Sequence, residues 1–201
     1  MKKISYDRLI TFAFYILLIG TAIFDGIYRD GVKLPRIALI FVTIIGLRIL
    51  FTQTFLKKSK AMYVAILVFV FLSMYLANVM NFYNIEYYDK MLHFASGFLI
   101  AILGFIVFVY LFKDNRNKAI KPISALIFVI MFSASSAAIW EIWEFTTDSL
   151  FNLQAQNGLV DTMWDIILGT LSGVIMSIPI YMYAKGKNIK FIDKIAREIL
   201  E

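Results

Sequence analysis

Three pairs of ionisable residues stand at helical spacing in the second half of the sequence. In chain order they are Asp89 with His93, Glu141 with Glu144, and Asp161 with Asp165. The members of each pair are three or four residues apart, so both side chains of a pair share one face of a helix. Carboxylates and an imidazole suit two kinds of chemistry. They can bind a divalent cation, or they can act without a metal as general acid and base.

We expect the three pairs to converge on one polar site. The candidates for catalysis are Asp89, His93, Glu141, Asp161 and Asp165. The candidates for ligand binding are Lys90, which would contact an anionic group, and Glu144. The candidates for metal binding are His93, Glu141 and Asp165. The cofactor would then be one divalent cation: Mg²⁺, Ca²⁺ or Mn²⁺ suits the oxygens, and Zn²⁺ would use His93.

Two alternatives to a metal site remain open. In the first, the imidazole of His93 acts as general acid or base and Asp89 orients it, which gives a metal-free acid/base pair. In the second, the acids form a solvated rim in which each is hydrogen-bonded locally, the role we favour for Asp30, Glu86 and Asp148. If the acids do converge, they cannot all stay ionised in a low-dielectric pocket without a cation, shared protons or open water.

The composition indicates that these residues are held by membrane-spanning helices. Hydrophobic residues make up 61% of the 201 residues, charged residues 17%, and the mean hydropathy is +0.77. A soluble domain has roughly 45–50% apolar and ~25% charged residues. Disorder is therefore excluded, and an ordinary soluble globule is disfavoured. The absence of cysteine excludes disulfides, thiolate catalysis and thiolate metal sites.

Six apolar stretches are long enough to cross a bilayer as helices. They run over Leu9–Tyr28, Pro35–Phe55, Ala61–Phe82, Met91–Phe112, Ile123–Trp140 and Ile166–Ala184. After Gly186, apolar residues at helical spacing predict a short helix lying on the membrane interface. The sequence therefore predicts an all-α polytopic membrane helical bundle with about six transmembrane helices, a short C-terminal interfacial helix, and a single integral membrane domain over residues 1–201.

The basic residues predict the orientation. With the N-terminus inside, fifteen of the twenty Lys and Arg residues fall in cytoplasmic segments and four in outer segments. This bias predicts a multi-pass protein of the cell membrane with both termini in the cytoplasm. It also explains the net charge of +6 without nucleic acid as a partner. Arg48 lies within the second span, and we expect it to reach the inner leaflet with its long side chain.

The polar pairs then lie toward the outer side, flanked by small residues. Ser96 and Gly97 follow His93, and Gly169 and Gly173 follow Asp165. Small residues let membrane helices approach closely. This pattern predicts tight packing of the last three spans around the polar site.

The same residues carry a family resemblance. The run Tyr87-Tyr88-Asp89-Lys90-Met91-Leu92-His93-Phe94 is similar to the DK-x-x-HF signature of VanZ-like membrane proteins and to the YD-x-x-x-HF of YjdF-type inner-membrane proteins. The run Trp140-Glu141-Ile142-Trp143-Glu144-Phe145 resembles a glutamate-bearing helix of both. Gln156 with Asp161-Thr162-Met163-Trp164-Asp165 resembles the Q…DT-x-x-D block of the YjdF type.

The YjdF-type match is the closer one, because VanZ-like proteins usually have glutamine at the position of Glu144 and asparagine at that of Gly169. This family has no assigned biochemical activity, so the resemblance implies a helical bundle and a site but no reaction. Our leading hypothesis is an outward-facing Asp/His/Glu site that binds or acts on an envelope or lipid-headgroup ligand. A small cation or proton carrier and a non-catalytic membrane scaffold are the alternatives. The partners would be the lipid bilayer and a lipid-linked or envelope ligand; the sequence leaves the oligomeric state open.

Overall fold

The computed structural model describes residues 5–113, 121–151 and 156–200, and their regular structure is entirely helical. The helices are α1 Tyr6–Tyr28, α2 Leu34–Gln53, α3 Lys60–Val70, α4 Tyr88–Leu111, α5 Pro122–Phe151, α6 Leu159–Ala184 and α7 Lys190–Leu200. α3 continues as a π-helix over Phe71–Val79, and short 3₁₀ turns occupy Phe55–Lys58 and Phe82–Asn84. Six of these segments are long and apolar enough to cross a membrane. The predicted fold class is confirmed.

α5 is the element that departs most from the sequence prediction. The predicted span ended at Trp140, whereas the helix continues to Phe151 and has 30 residues. At 1.5 Å per residue this is about 45 Å, longer than a ~30 Å hydrocarbon core. The extension is amphipathic: Glu141 is buried while Trp143 and Phe145 are exposed. A prediction based on uninterrupted apolar runs therefore stops at the first glutamate.

The chain divides into two compact units, which we call unit 1 (Met1–Tyr88) and unit 2 (Asp89–Glu201). The single domain remains a prediction. Within unit 1, α1 packs through Phe14, whose ring makes edge contacts with Phe71 and Tyr75. Hydroxyl pairs add polar links, with the Thr21 and Tyr75 oxygens 2.9 Å apart. The apolar contacts and the hydroxyl pair together fix α1 against the π-helical continuation of α3.

Within unit 2, small residues bring three helices into close contact. A Cβ added at Gly97 of α4 would lie 2.3 Å from the Gly169 carbonyl oxygen of α6. One added at Gly173 of α6 would lie 2.4 Å from the Ser133 Cβ of α5. The Ser133 hydroxyl donates to the Gly169 carbonyl at 3.0 Å. The close packing expected from these residues is present, and it fixes the helix ends that carry the polar residues.

The C-terminal helix α7 is present as predicted. Its apolar residues Ile192, Ile195 and Ala196 are buried against the protein. The Tyr183 hydroxyl of α6 lies 3.3 Å from the Asp193 carboxylate of α7. α7 thus packs on the end of α6 within unit 2.

Candidate functional site

Helix starts position most of the polar residues of unit 2. α4 begins at Tyr88, so Asp89 and Lys90 lie in its first turn and His93 in its second. α6 begins at Leu159, directly after Gly158. The φ of Gly158 is 99°, a conformation that glycine adopts readily because glycine has no Cβ. Asp161 is in the first turn of α6, and Asp165 follows one turn later on the same face. Negative side chains near a helix N-terminus are stabilised by the helix dipole.

Lys90 lies at the centre of three carboxylates. Its Nζ donates to a carboxylate oxygen of Asp161, and to both oxygens of Asp165 at 2.8 and 3.0 Å. The nearest Asp89 oxygen is 3.4 Å away. An ammonium group has three protons, so these aspartates engage all of its donors. The network links the start of α4 to the start of α6.

His93 lies between two of the same aspartates. Its Nε2 is 3.7 Å from Asp89 Oδ1 and 3.8 Å from Asp165 Oδ1. These separations are too long for direct hydrogen bonds. Asp89, His93 and Asp165 each offer one ligand atom, and the three atoms lie within 4.8 Å of one another. The spacing leaves room for a cation or a water molecule between the imidazole and the carboxylates.

Glu141 and Glu144 of α5 add two more acids near His93 and these aspartates. Glu141 is 4% exposed, and its Oε1 atom is buried without a hydrogen-bond partner among the described residues. Its carboxylate is close enough to His93, Asp165 and Asp89 to interact electrostatically with each. Glu144 accepts a hydrogen bond of 2.8 Å from the Trp140 indole. A buried carboxylate oxygen left unpaired is costly, and it marks a place where a ligand or proton would be stabilised.

Gln156 connects α5 to the start of α6. Its side-chain amide donates to the Glu141 carbonyl and to the Thr162 hydroxyl, both at 3.3 Å, and its backbone N–H donates to Asp148 at 2.9 Å. The spacing of acidic pairs did not point to Gln156 or Thr162 as positioning residues. Only the family resemblance, which included Gln156, carried that signal.

The charge of the cluster is strongly unbalanced. Its five acids are Asp89, Glu141, Glu144, Asp161 and Asp165, whereas Lys90 is the one permanent cation hydrogen-bonded to them among the described residues. The buried members cannot all stay ionised unless protons or a cation compensate them. The arrangement can therefore bind a divalent cation, or carry protons on some of its carboxylates.

The structure brings all seven predicted site residues into one neighbourhood. The ammonium of Lys90 contacts two of the protein's own aspartates, and its contact with an anionic ligand remains a prediction. Asp30 and Glu86 are exposed, as expected for rim residues. Asp148 is half-buried, and its carboxylate accepts the Gln156 N–H, a local hydrogen bond of the kind expected for these acids.

Comparison with known proteins places the chain in a family. The family described as "Predicted membrane protein (DUF2238)" matches residues 5–186. The chain belongs to this family. The prediction of a YjdF-type membrane-protein family is thereby confirmed, and the protein is a multi-pass integral membrane protein. The relation to VanZ-like proteins remains a prediction.

A protein of Thermotoga maritima described as "Uncharacterized protein" is 33% identical over 120 residues, which cover 59% of this chain. The chain spans about 60% of the length of that curated relative. No solved structure matches the chain.

Proposed function

We propose that the cluster in unit 2 binds one divalent cation, and that this cation recruits the polar headgroup of a lipid or another envelope ligand. The carrying observation is the triangle of Asp89, His93 and Asp165, whose ligand atoms lie within 4.8 Å of one another. Metal bonds to these donors are ~2.0–2.4 Å long. His93 Nε2 lies 3.7 and 3.8 Å from the two aspartate oxygens, so these three residues would hold the cation.

The remaining residues support the cation in different ways. Lys90 holds Asp161 and Asp165 in place, which orients a predicted ligand carboxylate. Glu141, with its unpaired Oε1, would be a further ligand or the group that accepts a proton. A donor set of carboxylates with one imidazole suits Mn²⁺ or Zn²⁺. The cation would supply polarisation of a headgroup oxygen, and Glu141 would act as the acid/base group.

The scaffold alternative is favoured by one specific observation. The Lys90 network joins α4 to α6 directly, so the acids could serve helix association alone. The carrier alternative has less support. Next to the cluster, Gly97, Ser133, Gly169 and Gly173 are packed in contact, so the passage of a cation would require these helices to separate.

Metal analysis of the purified protein in detergent tests the proposal. We expect about one equivalent of Mn²⁺ or Zn²⁺ per chain in the parent protein. His93→Ala removes a ligand and Asp165→Asn removes the charge of one, so we expect at least a tenfold loss of affinity in each variant. Glu86→Gln, at an exposed acid, is the matched control and should bind as the parent does. If the parent protein binds neither metal, the proposed metal site is wrong and the scaffold alternative remains.

The outward orientation has its own test. Because basic residues concentrate on one predicted side, we expect a reporter that is active only outside the cytoplasm to be active when inserted at Gly158 and silent when fused after Glu201. The opposite pattern would place the cluster on the cytoplasmic side and remove envelope ligands from consideration.

A further inference from the structure

A second charged site lies in unit 1, independent of the cluster described above. A cavity of about 200 Å³ opens where α1 and α3 begin and α2 ends. Its charged lining residues are Asp7, Arg8, Arg48, Lys57 and Lys60. Four are cations and one is an anion, so the cavity carries a surplus of positive charge. The unit 2 cluster has the opposite imbalance.

Arg48 is held in a fixed position by one of its donors. Its Nη1 donates to Asp7 Oδ2 at 2.7 Å, and its guanidinium lies 5.1 Å from the centre of the Tyr63 ring. Asp7 also accepts a hydrogen bond from Ser5, and its side chain is 4% exposed. A guanidinium has five N–H donors. The pair with Asp7 therefore orients Arg48 while leaving further donors on a group that lines the cavity.

Ser59 supplies an independent observation that points to a ligand. It is 1% exposed, it lines the cavity, and its hydroxyl has no hydrogen-bond partner among the described residues. It precedes α3, yet its side chain does not cap that helix. A buried unpaired hydroxyl costs free energy, whereas a hydroxyl facing an anion would donate to it. The first N–H groups of a helix also favour anions.

We propose that this cavity binds a phosphate group, carried either by a lipid headgroup or by a free phosphate. Arg48 would make the hydrogen bonds that a planar guanidinium offers to phosphate oxygens. Lys57 and Lys60 would supply further positive charge, and Ser59 a neutral donor. Because a water molecule occupies about 30 Å³ of liquid, the cavity holds a phosphate group together with a few waters.

A residue next to the proposed phosphate-binding residues provides the matched control. Lys57 and Lys58 are both exposed and share one 3₁₀ turn, but only Lys57 lines the cavity. The variants Lys58→Gln and Lys57→Gln therefore change the net charge equally at almost the same place. The double variant Lys57→Gln/Lys60→Gln and the near-isosteric Ser59→Ala leave the buried Asp7–Arg48 pair intact, so all variants should fold.

The experiment measures binding of inorganic phosphate to the full chain in neutral detergent, at constant ionic strength set with chloride. We expect saturable binding that weakens at least fivefold in Lys57→Gln/Lys60→Gln. It should weaken about tenfold in Ser59→Ala, because one hydrogen bond to a charged group is lost. Lys58→Gln should change the affinity less than twofold. The proposal would be overturned if the parent protein neither bound inorganic phosphate saturably nor responded to phosphatidic acid in the experiment below. An equal loss of phosphate affinity in Lys58→Gln and Lys57→Gln would also overturn it.

A second arm identifies the source of the phosphate. The same variants are compared by thermal shift in nanodiscs of phosphatidylcholine alone and with added phosphatidic acid. Stabilisation by phosphatidic acid that is lost in Lys57→Gln/Lys60→Gln assigns the cavity to a lipid headgroup. Binding of inorganic phosphate without any effect of phosphatidic acid assigns it to a soluble phosphate.

Discussion

Unit 1 and unit 2 each bury an aspartate almost completely, and they balance its charge differently. The side chain of Asp7 is 4% exposed and pairs with Arg48, and that of Asp165 is 3% exposed and shares Lys90 with Asp161. Around Asp7 the neighbouring cations outnumber the acids, whereas around Asp165 the acids outnumber the cations. A one-to-one pair is sufficient for structure. The charge in surplus of that pair is the reason why we propose an anionic ligand in unit 1 and a cation in unit 2.

The largest loss of stability is expected from a change in the helix packing of unit 2. Gly97→Ala in unit 2 would place its Cβ 2.3 Å from a backbone oxygen, which cannot move aside as a side chain can. We expect a loss near the upper end of the ~1–3 kcal/mol typical of overpacked cores. Displacement of α4 should also weaken metal binding by His93. The measurements are the melting temperature in detergent and the metal content.

Gly46→Ala in unit 1 is the control for this change. A Cβ at Gly46 meets nothing within 4 Å, so only helix propensity changes, by up to ~1 kcal/mol in favour of alanine. If Gly97→Ala were as well tolerated as Gly46→Ala, the glycine contacts would not position the cluster.

The next largest loss of stability is expected when the Asp7–Arg48 ion pair of unit 1 is broken. Arg48→Met leaves the Asp7 carboxylate buried without its cation. Removing one partner of a buried pair costs ~3–5 kcal/mol; we expect about 2 kcal/mol here because the Arg48 side chain is 30% exposed to solvent. The double variant Asp7→Leu/Arg48→Met should regain most of that loss. Chemical or thermal unfolding in detergent measures both, and additive losses in the double variant would contradict a direct pairing.

The smallest effect on stability is expected in the unit 2 cluster. Glu141→Gln removes one of several like charges, and Asp165→Asn keeps an oxygen for Lys90. We expect both variants to unfold within about 1 kcal/mol of the parent, or to be stabilised, because neutralising surplus buried charge offsets a lost hydrogen bond. The stabilisation that Mn²⁺ or Zn²⁺ gives the parent should disappear. Losses of several degrees in both variants, with no metal effect in the parent, would instead assign the acids to the scaffold.

The sequence alone determined the class of the fold and the faces of the helices. Runs of about twenty apolar residues specify spans because each residue adds a fixed rise and lipid cannot satisfy free backbone groups. Pairs such as Asp89 with His93 share a face because the helical repeat is local. Gly97 and Gly169 likewise predicted close packing from residue size alone. These properties depend only on neighbours along the chain.

Only the tertiary structure decided which charges meet. Arg48 pairs with Asp7, 41 positions away, and Lys90 with Asp165, 75 positions away. Spacing along one helix contains no information on such pairs, because they depend on how different helices rotate and pack. For the same reason, the sequence did not predict that Lys90 and Arg48 each pair with an aspartate of another helix. The unpaired oxygens of Glu141 and Ser59 emerged in the same way, since a polar group lacks a partner only after its neighbours have been packed around it.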